Sequence, residues 1–268
     1  MAGPEKKIVE FRPERAPLLR DLNNIDALTL RRLAENYSRT WANSGVYIEV
    51  DEAEKKIALF NPNHSYMILE PGTGIVIAQI HTIPAYADSI IDFVSRFSSH
   101  RAVVKAAGSE PPDNANFIVC FSLNCKPGYY IQTGTELTPL PRFVVENFPN
   151  PNSAYKIGYS FITADDTPKY NDEAMLKRYL KLLSSNNTRS GGPAMMHEAF
   201  GGIVVAFLPH ARPENGLAAG GITLVVYPKS PAEFEIFEEV KENRRNGKLS
   251  FLRRNGAMVL TDINFKNL

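Results

Sequence analysis

Apolar positions along the chain change spacing from segment to segment, and those changes mark out the elements. Leu30, Leu33, Tyr37 and Trp41 recur every three or four residues with Arg31, Arg32 and Glu35 between them, which predicts an amphipathic helix that Asp26 can cap. Glu5–Phe11 reads as a short strand ended by Pro13. Val46–Val50 and Lys56–Phe60 alternate around Asp51–Glu54 and predict a small hairpin. Ser65–Leu69 and Gly74–Ile83 flank Pro71-Gly72-Thr73, a stronger hairpin signal because proline and glycine supply the turn dihedrals. Ile90, Ile91, Val94 and Phe97 share one helical face. Phe117–Cys125 and Ala154–Thr163 are near-continuous apolar runs, the pattern of central strands. Leu176, Tyr179, Leu180 and Leu183 form another helical stripe after Asp172. A helix over Glu233–Arg244 and a hairpin over Leu249–Phe265, turning at Asn255-Gly256, close the chain. Strands alternating with helices predict a mixed α/β (α+β) fold.

The polar stretch Ala106–Asn116 marks a boundary between two lobes, about 1–105 and 116–228, with residues 229–268 a helix–hairpin extension packed on them. At 268 residues the chain can bury a sizeable core. The net charge of +1 offers no overall field for nucleic acid or acidic lipid. The longest apolar runs are too short to span a bilayer, and MAGPEKKIVEF lacks the apolar core of a signal peptide. Cys120 and Cys125 lie on one expected strand with side chains facing opposite ways, so they do not bridge, and no metal-ligand spacing occurs. A cytoplasmic, metal-free protein is the expectation.

Candidate chemistry concentrates in Met195–Pro228, where a helix end carrying His197 and Glu198 meets a Gly201-Gly202 break, a buried strand and an Arg-Pro-Glu loop. An imidazole can give or take a proton near neutral pH. A lone histidine near a helix end equally fits a structural role, so the case rests on its company. Arg212, in the turn PHARPEN, is either a solvated turn residue or a planar fork for a carboxylate or phosphate. Thr163 ends a central strand, where ligands of open sheets often sit. Trp41 completes its helix stripe, or lines a channel. Pro127–Leu137 follows the Phe117–Cys125 strand and can open a helix whose free N–H groups face a pyrophosphate.

Taken in order, the hairpin SYMILEPGTGIVIAQIHTIP, the strand NFIVCFSLNCKP, Pro127-Gly128-Tyr129, the strand YKIGYSFITA and the run His197-Glu198-Ala199-Phe200-Gly201 resemble the GNAT acyltransferase superfamily over most of Asp21–Pro228. That resemblance implies a GNAT-like acyl-CoA N-acyltransferase fold, a mixed central sheet with helices on both faces. His197 stands where many GNATs carry a tyrosine general acid. With Pro209-His210-Ala211-Arg212-Pro213-Glu214-Asn215, the run is similar to a subset that includes GNAT-like loading domains of polyketide synthases. The subset implies Thr163, His197 and Arg212 as catalytic residues, with Trp41 and Glu198 on the substrate. The superfamily further implies oxyanion and coenzyme A contacts around Asn124, Cys125 and Lys126, and a pyrophosphate loop at Gln132, Thr133, Gly134 and Thr135. The usual (Gln/Arg)-x-x-Gly-x-(Gly/Ala) pattern is altered there, with threonines adding Cβ bulk.

The implied activity is acyl transfer from an acyl thioester (acetyl-CoA, malonyl-CoA or an acyl-carrier protein) to an amine or thiol, in specialised metabolism. Malonyl-thioester decarboxylation with S-acyl transfer is the alternative, and a non-catalytic GNAT-like binding module is a third reading. A small-molecule acceptor or a carrier protein would be the partner, and the chain would be a monomer or homodimer.

Overall fold

The computed structural model describes residues 6–11, 20–43, 47–107, 112–150, 154–160, 172–184, 192–209, 211 and 221–263. The elements run β1 (Lys7–Phe11), β2 (Arg20–Asp21), α1 (Ala27–Asn43), α2 (Val50–Ala58), β3 (Ser65–Leu69), β4 (Val76–Ala85), α3 (Ile90–Arg96), α4 (His100–Ala107) and β5 (Phe117–Cys125). They continue with β6 (Tyr129–Thr133), β7 (Glu136–Pro139), α5 (Leu140–Asn147), β8 (Tyr155–Ser160), α6 (Asp172–Ser184) and α7 (Gly192–Ala199). The last are β9 (Ile203–Leu208), β10 (Ile222–Val226), α8 (Pro231–Arg245), β11 (Phe251–Arg254) and β12 (Ala257–Leu260). Two compact units divide the chain. Residues 1–82 and 121–149 form the first, and residues 83–120 and 150–268 the second.

In the first unit, α1 is capped by Asp26, whose Oδ1 accepts from the Thr29 N–H at 2.6 Å. Leu33, Ala34 and Tyr37 are its buried face. The predicted hairpin around Asp51–Glu54 is instead α2. Asp51 and Glu52 in its first turn and Lys55 and Lys56 in its last complement the helix dipole. A Glu52–Lys56 ion pair at 2.9 Å spans one turn, and Ala53 and Ile57 bury on one face at i, i+4. The hairpin of β3 and β4 forms as predicted, antiparallel, from Ser65↔His81 to Leu69↔Val76.

The stretch expected to open a helix after Pro127 is also different. Tyr129–Thr133 is a strand pairing in parallel with β1, Lys7↔Tyr129 through Phe11↔Thr133. It turns at Gly134, φ +60, into β7. Aromatic and β-branched residues in YYIQT favour the pleat, and the helix starts only at Leu140, after Pro139.

In the second unit the strand order is β11-β12-β9-β10-β8-β5. All pairs are antiparallel except β5 with β8, which makes the sheet mixed. Leu176, Tyr179, Leu182 and Leu183 of α6 and Ala194 and Met195 of α7 cluster with Val204, Phe207, Val225, Met258 and Leu260 from three strands. The β11–β12 turn sits at Asn255-Gly256, both at positive φ, as its sequence requires. Cys120 and Cys125 are free thiols.

A polar chain is buried in the first unit. Asn36 Nδ2 donates to Gln79 Oε1 at 3.2 Å, and His81 Nδ1 lies 3.0 Å from Ser65 Oγ. Burial pulls the His81 pKa from 6.5 down to about 3. The unfolded chain therefore takes up a proton below pH 6.5 that the folded one refuses until about pH 3. Stability should be full above pH 6.5 and fall by up to about 1.4 kcal/mol per pH unit below it. Urea melts between about pH 7.5 and pH 4.5 check this; His81→Gln should lower stability at neutral pH and flatten the acid slope.

Candidate functional site

Helix α7 ends on two glycines that the packing demands. Gly201 has φ +89, and a Cβ there would lie 2.9 Å from the Phe234 ring. At Gly202 a Cβ would meet Val225 Cγ1 at 2.7 Å and the His197 carbonyl at 3.0 Å. The Gly202 N–H donates to that carbonyl, also at 3.0 Å, so the chain leaves the helix tightly against β10. This turn fixes His197 and Glu198 on the last turn of α7.

His197 is 6% exposed. Its ring packs against Gly158 of β8, where a Cβ would come within 3.4–3.5 Å of three ring atoms, so glycine leaves the imidazole its space. Nδ1 is hydrogen-bonded to the hydroxyl of Tyr227, just past β10, and the two rings stand nearly perpendicular at 5.8 Å. Burial lowers the His197 pKa to about 4, so the imidazole is neutral at pH 7.

Glu198 points into a different environment. Its Oε1 accepts from Tyr179 Oη at 2.6 Å and from the Val204 N–H at 3.1 Å. Arg244 donates to Tyr179 Oη at 3.1 Å and to the Val204 carbonyl at 2.8 Å. It also forms a two-pronged pair with Asp262, both contacts at 2.6 Å. Lys241 Nζ donates to the Glu198 carbonyl at 3.1 Å and pairs with Glu238. Burial raises the Glu198 pKa, against the Tyr179 and Val204 hydrogen bonds and the charges of Arg244 and Lys241.

The remaining expected site residues are placed as follows. Thr163 and Arg212 lie outside the described residues. Asn124, Cys125, Lys126, Gln132–Thr135 and Trp41 belong to the first unit, whereas His197 and Glu198 belong to the second. Asn124 is buried, with Nδ2 donating to Ser122 Oγ at 2.9 Å. Lys126, whose N–H donates to the Ile77 carbonyl at 2.8 Å, has its pKa lowered by burial and by the like charges of Arg39 and Lys7. Gln132 and Thr133 end β6 and Gly134 and Thr135 make the turn to β7, so no helix N-terminus lies there. Trp41 packs beside Tyr37 at 5.9 Å between ring centroids.

The sequence reading missed Gly158, Tyr227, Tyr179, Lys241, Arg244 and Asp262. One signal was available for α8: Phe237, Lys241 and Arg244 share the i, i+4, i+7 spacing of a buried stripe. Among the described residues no group of three His, Cys, Asp or Glu is placed to hold a metal, and no helix is long and apolar enough to cross a membrane.

No protein-family model and no curated protein matches the chain. Solved structures do. The GphF GNAT-like decarboxylase, in complex with isobutyryl-CoA, is 13% identical with a TM-score of 0.50, covering 79% of this chain and 99% of its own. The loading GNATL domain of CurA from Lyngbya majuscula is 12% identical with a TM-score of 0.51, covering 79% and 96%. The fold is thus GNAT-like, as the sequence motifs implied.

Gly202→Ala should cost about 1–3 kcal/mol, because the added carbon has backbone on one side and Val225 on the other. Tyr179→Phe should cost a similar amount, about 1–3 kcal/mol, by removing a donor from a buried carboxylate. Denaturant midpoints at constant m-value read both.

Proposed function

We propose that the chain is a GNAT-fold enzyme that moves the acyl group of a thioester onto an amine or thiol, with His197 as the proton carrier. The observation that carries this reading is the imidazole itself. It is buried, neutral, given space by Gly158 and held through Nδ1 by Tyr227. Such an arrangement orients Nε2 for one task and keeps water off it.

Attack of the acceptor on the thioester carbonyl forms a carbon–nitrogen or carbon–sulfur bond and puts charge on the carbonyl oxygen. Collapse breaks the carbon–sulfur bond and leaves a thiolate that needs a proton. A neutral His197 with Nε2 bare takes the acceptor's N–H or S–H proton as the new bond forms and returns it to the departing thiolate, while Nδ1 stays hydrogen-bonded to the Tyr227 hydroxyl. Within the first unit, Lys126, Arg39 and Lys7 gather positive charge that favours an anion such as a phosphate.

A second reading is favoured by the GNAT-like decarboxylase among the structural neighbours. Here the bond between the malonyl carboxylate and Cα breaks, carbon dioxide leaves, and the electron pair passes to the thioester oxygen as an enolate. His197 then protonates Cα. Arg212 is assigned to the carboxylate and Thr163 to the carbonyl.

His197→Ala should lower kcat by about 10²–10⁴-fold with the fold intact. Because the imidazole stays neutral, the pH profile of kcat/KM should show no break near 6.5. Mass spectrometry after incubation with acetyl-CoA or malonyl-CoA, and with the same acyl groups on a carrier protein, separates the readings. Acylated acceptor supports the first, carbon dioxide with acetyl thioester and no acceptor supports the second, and no turnover of any thioester overturns both.

A further inference from the structure

Lys126 stands just past β5, and its N–H donates to the Ile77 carbonyl of β4 at 2.8 Å, so the backbone there is held in place. The residue is half-buried. Other lysines meet a carboxylate: Lys56 pairs with Glu52 and Lys177 with Glu173, both at 2.9 Å. Among the described residues the Lys126 amine has no hydrogen bond and no ion pair. The charges that act on it come from three places in the first unit. Arg39 of α1 and Lys7 of β1 oppose its positive form, and Glu70, just after β3, favours it. Glu70 is engaged elsewhere, since Oε1 accepts from the Tyr129 hydroxyl at 2.9 Å and Oε2 from the Thr73 hydroxyl at 2.7 Å. Lys7 sits over the Tyr129 ring, 5.3 Å from its centroid, and donates to the hydroxyl at 3.4 Å. Three cations thus share one carboxylate whose two oxygens already hold neutral donors. Burial and the two like charges together pull the Lys126 pKa below that of an ordinary lysine.

We propose that Lys126 is a site of N-acylation by acyl thioesters, its unpaired amine acting as the acceptor without help from His197. The neutral amine attacks the thioester carbonyl and a carbon–nitrogen bond forms. The carbon–sulfur bond then breaks, and the thiolate leaves with the proton that the amine gives up. The products are an amide on Lys126 and a free thiol, so no further reactant is needed. Only the unprotonated amine is a nucleophile, and an amine that lacks an acid partner and faces two cations supplies more of that form near neutral pH. The amide carries no charge. Acylation therefore ends the repulsion at this position and takes away one of the cations that would attract an anion. This goes beyond the proposed transfer reaction, because the acceptor is the chain itself.

The test is acetylation of the full chain at about pH 8 by S-acetyl-N-acetylcysteamine, followed over time by peptide mass spectrometry. This thioester carries no phosphate, so the cations act on the amine and not by recruiting the reagent. Lys126 should be acetylated faster than the ion-paired Lys56 and Lys177. For each tenfold gain in neutral amine the rate should rise by about threefold, because a weaker base is also a weaker nucleophile. In urea, with the packing gone, the three rates should converge. Arg39 is exposed on α1, so Arg39→Gln leaves the core alone and removes one opposing charge. That variant should slow acetylation at Lys126 by about twofold at pH 8. The deficit should close as the pH approaches 10.5, where an ordinary lysine is itself half neutral. Equal rates at the three lysines of the folded chain, a preference that survives urea, or an unchanged rate in folded Arg39→Gln overturns the proposal. Because the readout is modification of one lysine, it stands or falls apart from thioester turnover at His197.

Discussion

Arg244 is a fully buried guanidinium, and the second unit is organised around the need to satisfy it. Its side chain is 0% exposed, and an unpaired charge there would cost several kcal/mol. Four oxygens answer that demand: two from Asp262, one from Tyr179 and one from the Val204 backbone. These acceptors come from α6, β9 and the segment after β12, so a single side chain on α8 ties together parts of the chain far apart in sequence. Tyr179 relays the network to Glu198, which in turn accepts from the Val204 N–H. The Glu198 end thereby fixes the last turn of α7 against the start of β9.

Fixing that turn has a consequence one residue earlier. His197 precedes Glu198, so the same anchoring sets the rotation of α7 that turns the imidazole toward Gly158 and Tyr227. Two adjacent titratable residues thus receive opposite treatment. Burial removes the positive form of His197, and burial also disfavours the negative form of Glu198. The two neutral preferences have different outlets. His197 keeps a neutral imidazole, which can both donate and accept a hydrogen bond. Glu198 keeps one oxygen on Tyr179 and the Val204 N–H, which holds it in place.

The first unit handles its buried polarity in another way. Asn36, Gln79, His81 and Ser65 link groups from α1, β3 and β4 through hydrogen bonds between neutral side chains. Neutral networks of this kind specify strand register and helix docking at low desolvation cost, provided each member finds a partner. The parallel pairing of β1 with β6 adds a separate small sheet whose turn, at Gly134, occupies the stretch that the altered pyrophosphate motif covers.

The sequence by itself determined the elements whose signals are local. Period-two and period-3.6 apolar patterns, the Asp26 cap, the Pro71-Gly72 and Asn255-Gly256 turns and the double glycine after α7 all act within a few residues, so each was legible. Motif order carried the GNAT-like fold as well. The segment Val50–Ala58 was misread because its alternation is compatible with both periods and its charges decided for the helix only through dipole and ion-pair effects. YYIQT was misread because a strand's partner, here β1, lies more than a hundred residues away. Tertiary structure alone decided which titratable groups are buried and what they meet. That His197 is neutral and bound to Tyr227, and that Lys241 and Arg244 turn inward to serve Glu198 and Asp262, depends on long-range packing that sets the local dielectric and the hydrogen-bond partners. No local pattern encodes those quantities.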